Sequence, residues 1–102
     1  MKEFKIQMYR GDTKIVIASM VLNEDLADLD GYTVRLLYGR EDREIATAVV
    51  SGSQAVFRIS PEVSETLMPG EQPCRIVYDG VHQVAQNGSL IVMGEWHGER
   101  LQ

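Results

Sequence analysis

The chain has 102 residues, of which 44% are hydrophobic and 25% are charged, and its formal net charge at pH 7 is -5. A length near one hundred residues is the common size of a single domain, and this balance of apolar and charged residues is that of a globular protein. The negative charge disfavours nucleic acid and anionic lipid as partners, because both would repel the chain.

Other function classes are disfavoured by what the sequence lacks. The apolar stretches, such as residues 15–20 and 90–93, are far below the ~20 residues that span a bilayer. The first residues lack the apolar run of a secretory signal, so we expect synthesis in a cytoplasm. Cys74 is the single cysteine and there are two histidines, so no internal disulfide and no zinc-binding set is expected. We therefore expect no metal and no other cofactor.

The N-terminal part predicts two strands and a loop. Phe4, Ile6 and Met8 alternate with polar residues, which is the two-residue period of a half-buried strand. After a turn at 10–12, residues 13–22 carry β-branched side chains and predict a long strand that is partly buried on both faces. The acidic segment 23–30 predicts a loop, which places Leu26 or Leu29 in the core.

The middle of the chain predicts a meander followed by a short helix. Residues 32–38 and 43–50 predict a hairpin, and residues 55–59 a further strand after a turn at 51–54. Ser60, Pro61 and Glu62 then supply a capping hydroxyl, a proline for the first helical position and an acid in the first turn. Met68-Pro69-Gly70 ends this helix after two turns at most.

The C-terminal part predicts three more strands, over 73–78, 81–86 and 89–96, separated by Asp-Gly and Asn-Gly turns at 79–80 and 87–88. Cys74 alternates with Ile76 and Tyr78, so its thiol is expected to face the core. Seven or eight short strands with one helical turn predict an all-β, immunoglobulin-like antiparallel β-sandwich. We assign residues 1–96 to this domain and 97–102 to a tail.

Several short motifs suggest chemistry, and each also has an ordinary structural interpretation. Arg10-Gly11-Asp12 spells an integrin-binding tripeptide, but Gly-Asp is also common turn chemistry. His82 lies beside a turn and His97 near the chain end, and neither has a nucleophile in a recognisable motif, so no catalytic residue is predicted. The loop acids fit no calcium-binding spacing and are expected to be solvated; they are Glu24, Asp25, Asp28 and Asp30.

Large apolar side chains at the two ends of the chain are the predicted partner-binding residues. Trp96, the only tryptophan, closes the last predicted strand, where it is either the lid of the core or an anchor for a neighbouring chain. The first strand, with its backbone edge, is the second candidate. The predicted partner-binding residues are therefore Phe4, Ile6, Met8 and Trp96.

A set of motifs in a fixed order runs along most of the chain. They are YRGDT at 9–13, DLDGYTVR at 28–35, FRISPE at 57–62, LMPG at 67–70, IVYDG at 76–80 and GSLIV at 88–92. From residue 6 to about 93 this succession resembles the N-terminal domain of tailed-phage upper baseplate proteins and the related Ig-like modules of phage tail fibres. The sequence Gln72-Pro73-Cys74 departs from the family pattern, which usually has a tyrosine-rich strand start there.

The resemblance implies a non-catalytic structural protein of the virion, made in the bacterial host, which docks on other virion proteins as a module of a tail, baseplate or head appendage. It also implies a homo-oligomer without nucleic-acid or membrane partners. The alternative hypothesis is a carbohydrate- or receptor-binding module, in which Tyr9, Tyr32, Tyr38 or Trp96 would stack on a sugar ring.

Overall fold

The computed structural model describes residues 3–22 and 24–94, and within them the chain forms ten strands and one helix. The elements, in chain order, are β1 (Phe4–Tyr9), β2 (Lys14–Ala18), β3 (Val21–Leu22), β4 (Asp25–Leu26), β5 (Thr33–Tyr38), β6 (Arg43–Thr47), β7 (Val49–Ser51), β8 (Gln54–Ile59), α1 (Pro61–Ser64), β9 (Gly70–Asp79) and β10 (Gln83–Met93).

Most of these strands form two sheets that pack face to face. One sheet has five strands in the order β1-β10-β9-β5-β6, the other has three in the order β2-β8-β7, and β3 and β4 form a small separate hairpin. All pairs are antiparallel except β1 and β10, which run parallel from Phe4 opposite Gly88 to Tyr9 opposite Met93. The predicted immunoglobulin-like β-sandwich is confirmed, with one parallel pair in it.

The core lies between the two sheets and is supplied by every second residue of their strands. Val34 and Leu36 of β5 and Phe57 and Ile59 of β8 are all fully buried. Burial of one such side chain contributes roughly 1.5–3 kcal/mol, so this alternating set is the main source of stability. The loop before β5 adds Leu29, which is fully buried, whereas Leu26 is 61% exposed. Of the two leucines proposed for this role, Leu29 is therefore the core residue.

The long strand predicted over 13–22 is shorter and more exposed than expected. It ends at Ala18, and the β3–β4 hairpin occupies part of the predicted acidic loop. Ile15 and Ile17 are 52% and 62% exposed, so the outer face of this strand is less than half buried. The physical reason is that the β2 side chains alternate, and within the described residues only their inner face meets a second sheet.

The strand predicted over 43–50 is two strands that belong to different sheets. β6 pairs with β5 in the five-stranded sheet, and β7 pairs with β8 in the three-stranded sheet. The chain crosses between them at Ala48, whose N–H donates to the carbonyl oxygen of Val34 at 2.8 Å. This crossing joins the two sheets at one side of the sandwich.

The prediction of a turn at Asn87-Gly88 is wrong, because β10 runs through both residues without a break. Gly88 allows a close approach of neighbouring backbone: a Cβ atom there would lie 2.4 Å from the carbonyl oxygen of Phe4 and 2.5 Å from its Cγ. Real Cβ atoms do not tolerate such distances. Glycine at this position therefore lets β1 pack against β10.

Two local predictions are confirmed. Ser60 is the N-cap of α1, with its Oγ accepting from the Val63 N–H at 3.2 Å, and Pro61 is the first helical residue. Cys74 faces the core in β9 and is 2% exposed. Burial raises the pKa of the Cys74 thiol from 9.0 to about 12, because the charged thiolate would lose its hydration there.

We predict that native protein reacts slowly with a thiol reagent at pH 8. The reactive species is the thiolate, which burial disfavours, and the reagent must wait for local opening of β9. Labelling should be about 100-fold or more slower than in urea-denatured protein, measured by absorbance of the released thiol product. Equal rates for native and denatured protein would contradict the buried position.

We also predict that stability falls as the pH rises from about 9 towards about 12. In this range the unfolded chain loses the Cys74 proton while the native state keeps it, so each pH unit removes up to about 1.4 kcal/mol. Burial also raises the pKa of Tyr78, which acts in the same direction at higher pH. Urea melts at pH 9 and pH 10 should show this slope in the natural protein and a flatter dependence in Cys74→Ala.

Candidate docking surface

The outer face of the three-stranded sheet carries a row of apolar side chains. Ile17 of β2 lies opposite Val56 of β8, and Val56 lies opposite Val49 of β7, so the three form a continuous line across the strands. Ile15 precedes Ile17 on the same face. Val49 is 74% exposed, both isoleucines are more than half exposed, and Val56 is half-buried. We call these four residues the apolar row.

The outer face of the five-stranded sheet has a different character, because its strands β5, β6 and β9 carry charged side chains there. Arg35 lies 3.9 Å from a carboxylate oxygen of Glu44 and 3.8 Å from one of Asp79. Val77, which pairs with Arg35 across the strands, is only 6% exposed, as expected where a long arginine stem covers a neighbour. Charged side chains on this face are well hydrated, so the apolar row is the better candidate for protein contact.

The predicted partner-binding residues of β1 belong to the interior. Ile6 and Met8 are 5% and 4% exposed and lie in the core cluster, and Phe4 is half-buried against that cluster. The structure therefore brings these three side chains together on the inner side of β1, and what this strand offers outward is Lys5, Gln7 and its backbone edge. Trp96 and His97 lie outside the described residues, and their roles stay predictions.

The Arg-Gly-Asp turn between β1 and β2 is tied to α1 by hydrogen bonds. The Gly11 N–H donates to Oγ of Ser64 at 2.9 Å, and that hydroxyl donates to the carbonyl oxygen of Asp12 at 3.0 Å. Arg10 Nε donates to the carbonyl oxygen of Glu65 at 3.1 Å. Ser64 is fully buried, and Gly11 has the positive φ of 90° that glycine adopts without strain. This geometry gives the tripeptide a structural role.

We predict that Ser64→Ala destabilises the fold by about 1–3 kcal/mol, because the Gly11 N–H and the Asp12 carbonyl would lose a buried partner. Urea or thermal unfolding followed by circular dichroism measures the change. Ser51→Ala, at an exposed position in β7, is the matched control and should stay within about 0.5 kcal/mol of the natural protein. A value for Ser64→Ala equal to that of the control would contradict the tie between turn and helix.

The other candidate site residues do not form a cluster. His82 is exposed in the turn after β9, and the four loop acids are also exposed. Asp28 accepts the Asp30 N–H at 3.0 Å, which closes a local turn. Among residues 3–22 and 24–94, no three histidine, cysteine or acidic side chains meet in a way that would hold a metal ion. In the same part of the chain, no helix has the length and apolar character needed to cross a membrane.

The tyrosines proposed for sugar stacking lie at separate places. Tyr9, Tyr32 and Tyr38 are each half-buried. The Tyr32 ring packs against Gly80, where a Cβ atom on the glycine would lie 2.7 Å from the ring. Tyr38 lines an open groove of about 450 Å³ together with Arg40, Arg43 and Met68. Sugar stacking by these residues or by Trp96 stays a prediction.

The apolar row was missed by the sequence reasoning, although its signal is present. The consecutive residues Ile15, Val16 and Ile17 predict a strand that is partly buried on both faces. Three apolar residues in a strand predict apolar side chains on both faces, but they do not show whether a second layer covers each face.

Together, two packed sheets and a parallel β1–β10 pair define an immunoglobulin-like β-sandwich whose smaller sheet carries an apolar row on its outer face. No protein-family model and no curated protein sequence matches the chain. Among solved structures, the chain is similar to the N-terminal domain of phage TP901-1 ORF48, with a TM-score of 0.59 at 10% identity over 86% of this chain and 83% of that one. It is also similar to the Ig1 domain of mouse SynCAM 2, with a TM-score of 0.50 at 11% identity over 88% of this chain and 91% of that one.

Proposed function

We propose that this protein is a non-catalytic structural module of a phage virion, which docks on other virion proteins of a tail, baseplate or head appendage. The observation that carries the proposal is the similarity to the N-terminal domain of phage TP901-1 ORF48, which extends over most of both chains. The ordered motifs between residues 9 and 92 support the same setting.

The apolar row supports a docking role in physical terms. Its four side chains are β-branched, so they have few rotamers and lose little entropy when a partner covers them. Their burial contributes roughly 25 cal/mol for each Å² removed from water. Arg58, opposite Ile15 on the neighbouring strand, places one charge beside the row, which suits a partner with an acidic group at the matching position.

The chemistry of the described residues supports a non-catalytic protein. Cys74 is buried with a thiol pKa of about 12, so its thiolate is scarce at neutral pH. His82 is exposed in a turn, and a general base needs a positioned partner and a held substrate. These features give no support to nucleophilic or acid–base catalysis.

The first test is the location of the protein. Virions purified from the host strain that carries the gene should contain the protein. Mass spectrometry detects it, and immunogold labelling shows where on the particle it lies. Absence of the protein from intact particles would overturn the virion proposal.

The second test is the docking surface. Particles made from a genome without this gene should bind added, fluorescently labelled protein in co-sedimentation. The double change Ile17→Thr and Val49→Thr keeps β-branched side chains but removes apolar surface, and we predict that it weakens binding about 30-fold, the usual scale for about 2 kcal/mol at a hot spot. The matched control is Asn87→Thr, at an exposed position of β10 in the other sheet, and should bind as the natural protein does. Equal binding by all three proteins would refute a docking role of the apolar row.

A further inference from the structure

The strand β2 is the least protected sheet edge in the described part of the molecule. The edge strands of the two sheets are β1, β6, β2 and β7. β1 has polar side chains on its outer face, β6 carries Arg43 and Glu44 and has a register irregularity in its pairing with β5, and β7 has only three residues. β2 pairs with β8 in unbroken register over five residues, and its exposed side chains are Ile15 and Ile17. Regular, apolar edges of this kind readily accept a further strand.

Beside this edge, a groove of about 300 Å³ separates β2 from β1. Phe4 and Ile6 of β1 line it on one side, and Val16, Ile17 and Ala18 of β2 line it on the other. The groove therefore lies between the edge strand of the larger sheet and the edge strand of the smaller one.

We propose that this groove binds one extended strand of another polypeptide, which pairs with the backbone of β2 and becomes the fourth strand of the smaller sheet. Side chains of an added strand alternate between two faces. Those that point inward would cover the half-buried side chain of Phe4, and those that point outward would lie beside Ile15 and Ile17. Because both neighbourhoods are apolar, the partner strand has apolar residues on both faces of its centre.

The charge of the groove selects the polar residues of the partner. Lys5 is the one ionisable side chain among the described residues that line the groove, in a chain whose net charge is -5. Lys14 stands at the start of β2. A partner strand with acidic residues beside its apolar centre meets these cations, whereas a basic strand would meet like charge.

The charge of this edge favours a single acidic strand over a second copy of the domain. A second copy that paired its own β2 here would bring a second Lys14 to an edge where Lys5 and Lys14 already lie, so like charges would meet. A single strand needs room for only one more strand beside β2. The proposal rests on the edge and the groove alone and does not depend on a virion setting.

The test uses three synthetic nine-residue peptides and the full-length protein. The first has five central valines flanked by two glutamates at each end, the second has lysines in place of the glutamates, and the third has the glutamate sequence with a proline at the central position. Fluorescence anisotropy measures binding, and amide hydrogen exchange locates it. We expect the glutamate peptide to bind, the lysine peptide to bind at least about 10-fold more weakly, and the proline peptide to lose binding.

The variant Lys5→Glu should reverse the preference between the acidic and the basic peptide. Gln7→Glu is the matched control, because it adds a negative charge to the same strand at a position that does not line the groove. This variant should still bind the acidic peptide more tightly than the basic one, as the natural protein does. Binding of the glutamate peptide should slow hydrogen exchange in β2.

Three results would overturn the proposal. The first is no binding of the glutamate peptide at concentrations on the order of 1 mM, the weak end of specific recognition. The second is slowed exchange at β1, β6 or β7 in place of β2. The third is dimerisation of the protein alone, seen in analytical ultracentrifugation together with slowed exchange in β2, which would assign the edge to a second copy. Failure of the virion tests would leave all three readouts unchanged.

Discussion

The close approach of β1 to β10 at Gly88 determines much of the architecture. A side chain at this position would collide with the carbonyl oxygen and the ring of Phe4, so glycine allows β1 to join the five-stranded sheet. Because β1 pairs there, the smaller sheet ends at β2. The core position of Ile6 and Met8, the exposed β2 edge and the groove between the sheets all follow from this one pairing.

The two outer faces of the sandwich divide the surface into a solvated part and a part suited to protein contact. On the larger sheet, Arg35, Glu44 and Asp79 form a loose charged group, whose exposed ion pairs contribute little to stability but keep the face hydrated. On the smaller sheet, the apolar row has no comparable cover. A molecule with a net charge of -5 can remain well solvated while it keeps this limited apolar area accessible.

The short helix α1 links the smaller and the larger sheet through the turn that joins β1 to β2. Ser64, fully buried on this helix, accepts from the Gly11 N–H and donates to the Asp12 carbonyl. The hydrogen bonds therefore hold the place where the chain leaves one sheet for the other. An exposed tripeptide that suggests receptor recognition in the sequence is, in the fold, part of the connection that positions β2.

The amino-acid sequence by itself determined that the fold is built from β-strands, where most turns lie, how α1 is capped and that Cys74 faces inward. These features depend on a two-residue period and on local hydrogen bonds. It did not determine which sheet a strand joins. The division of residues 43–50 at Ala48 and the unbroken course of β10 through Gly88 depend on neighbours distant in sequence. The apolar row could not be predicted for the same reason. Alternation along the strand shows which residues share a face with Ile17, but only the packing of the sheets decides that no other layer of the described chain covers this face.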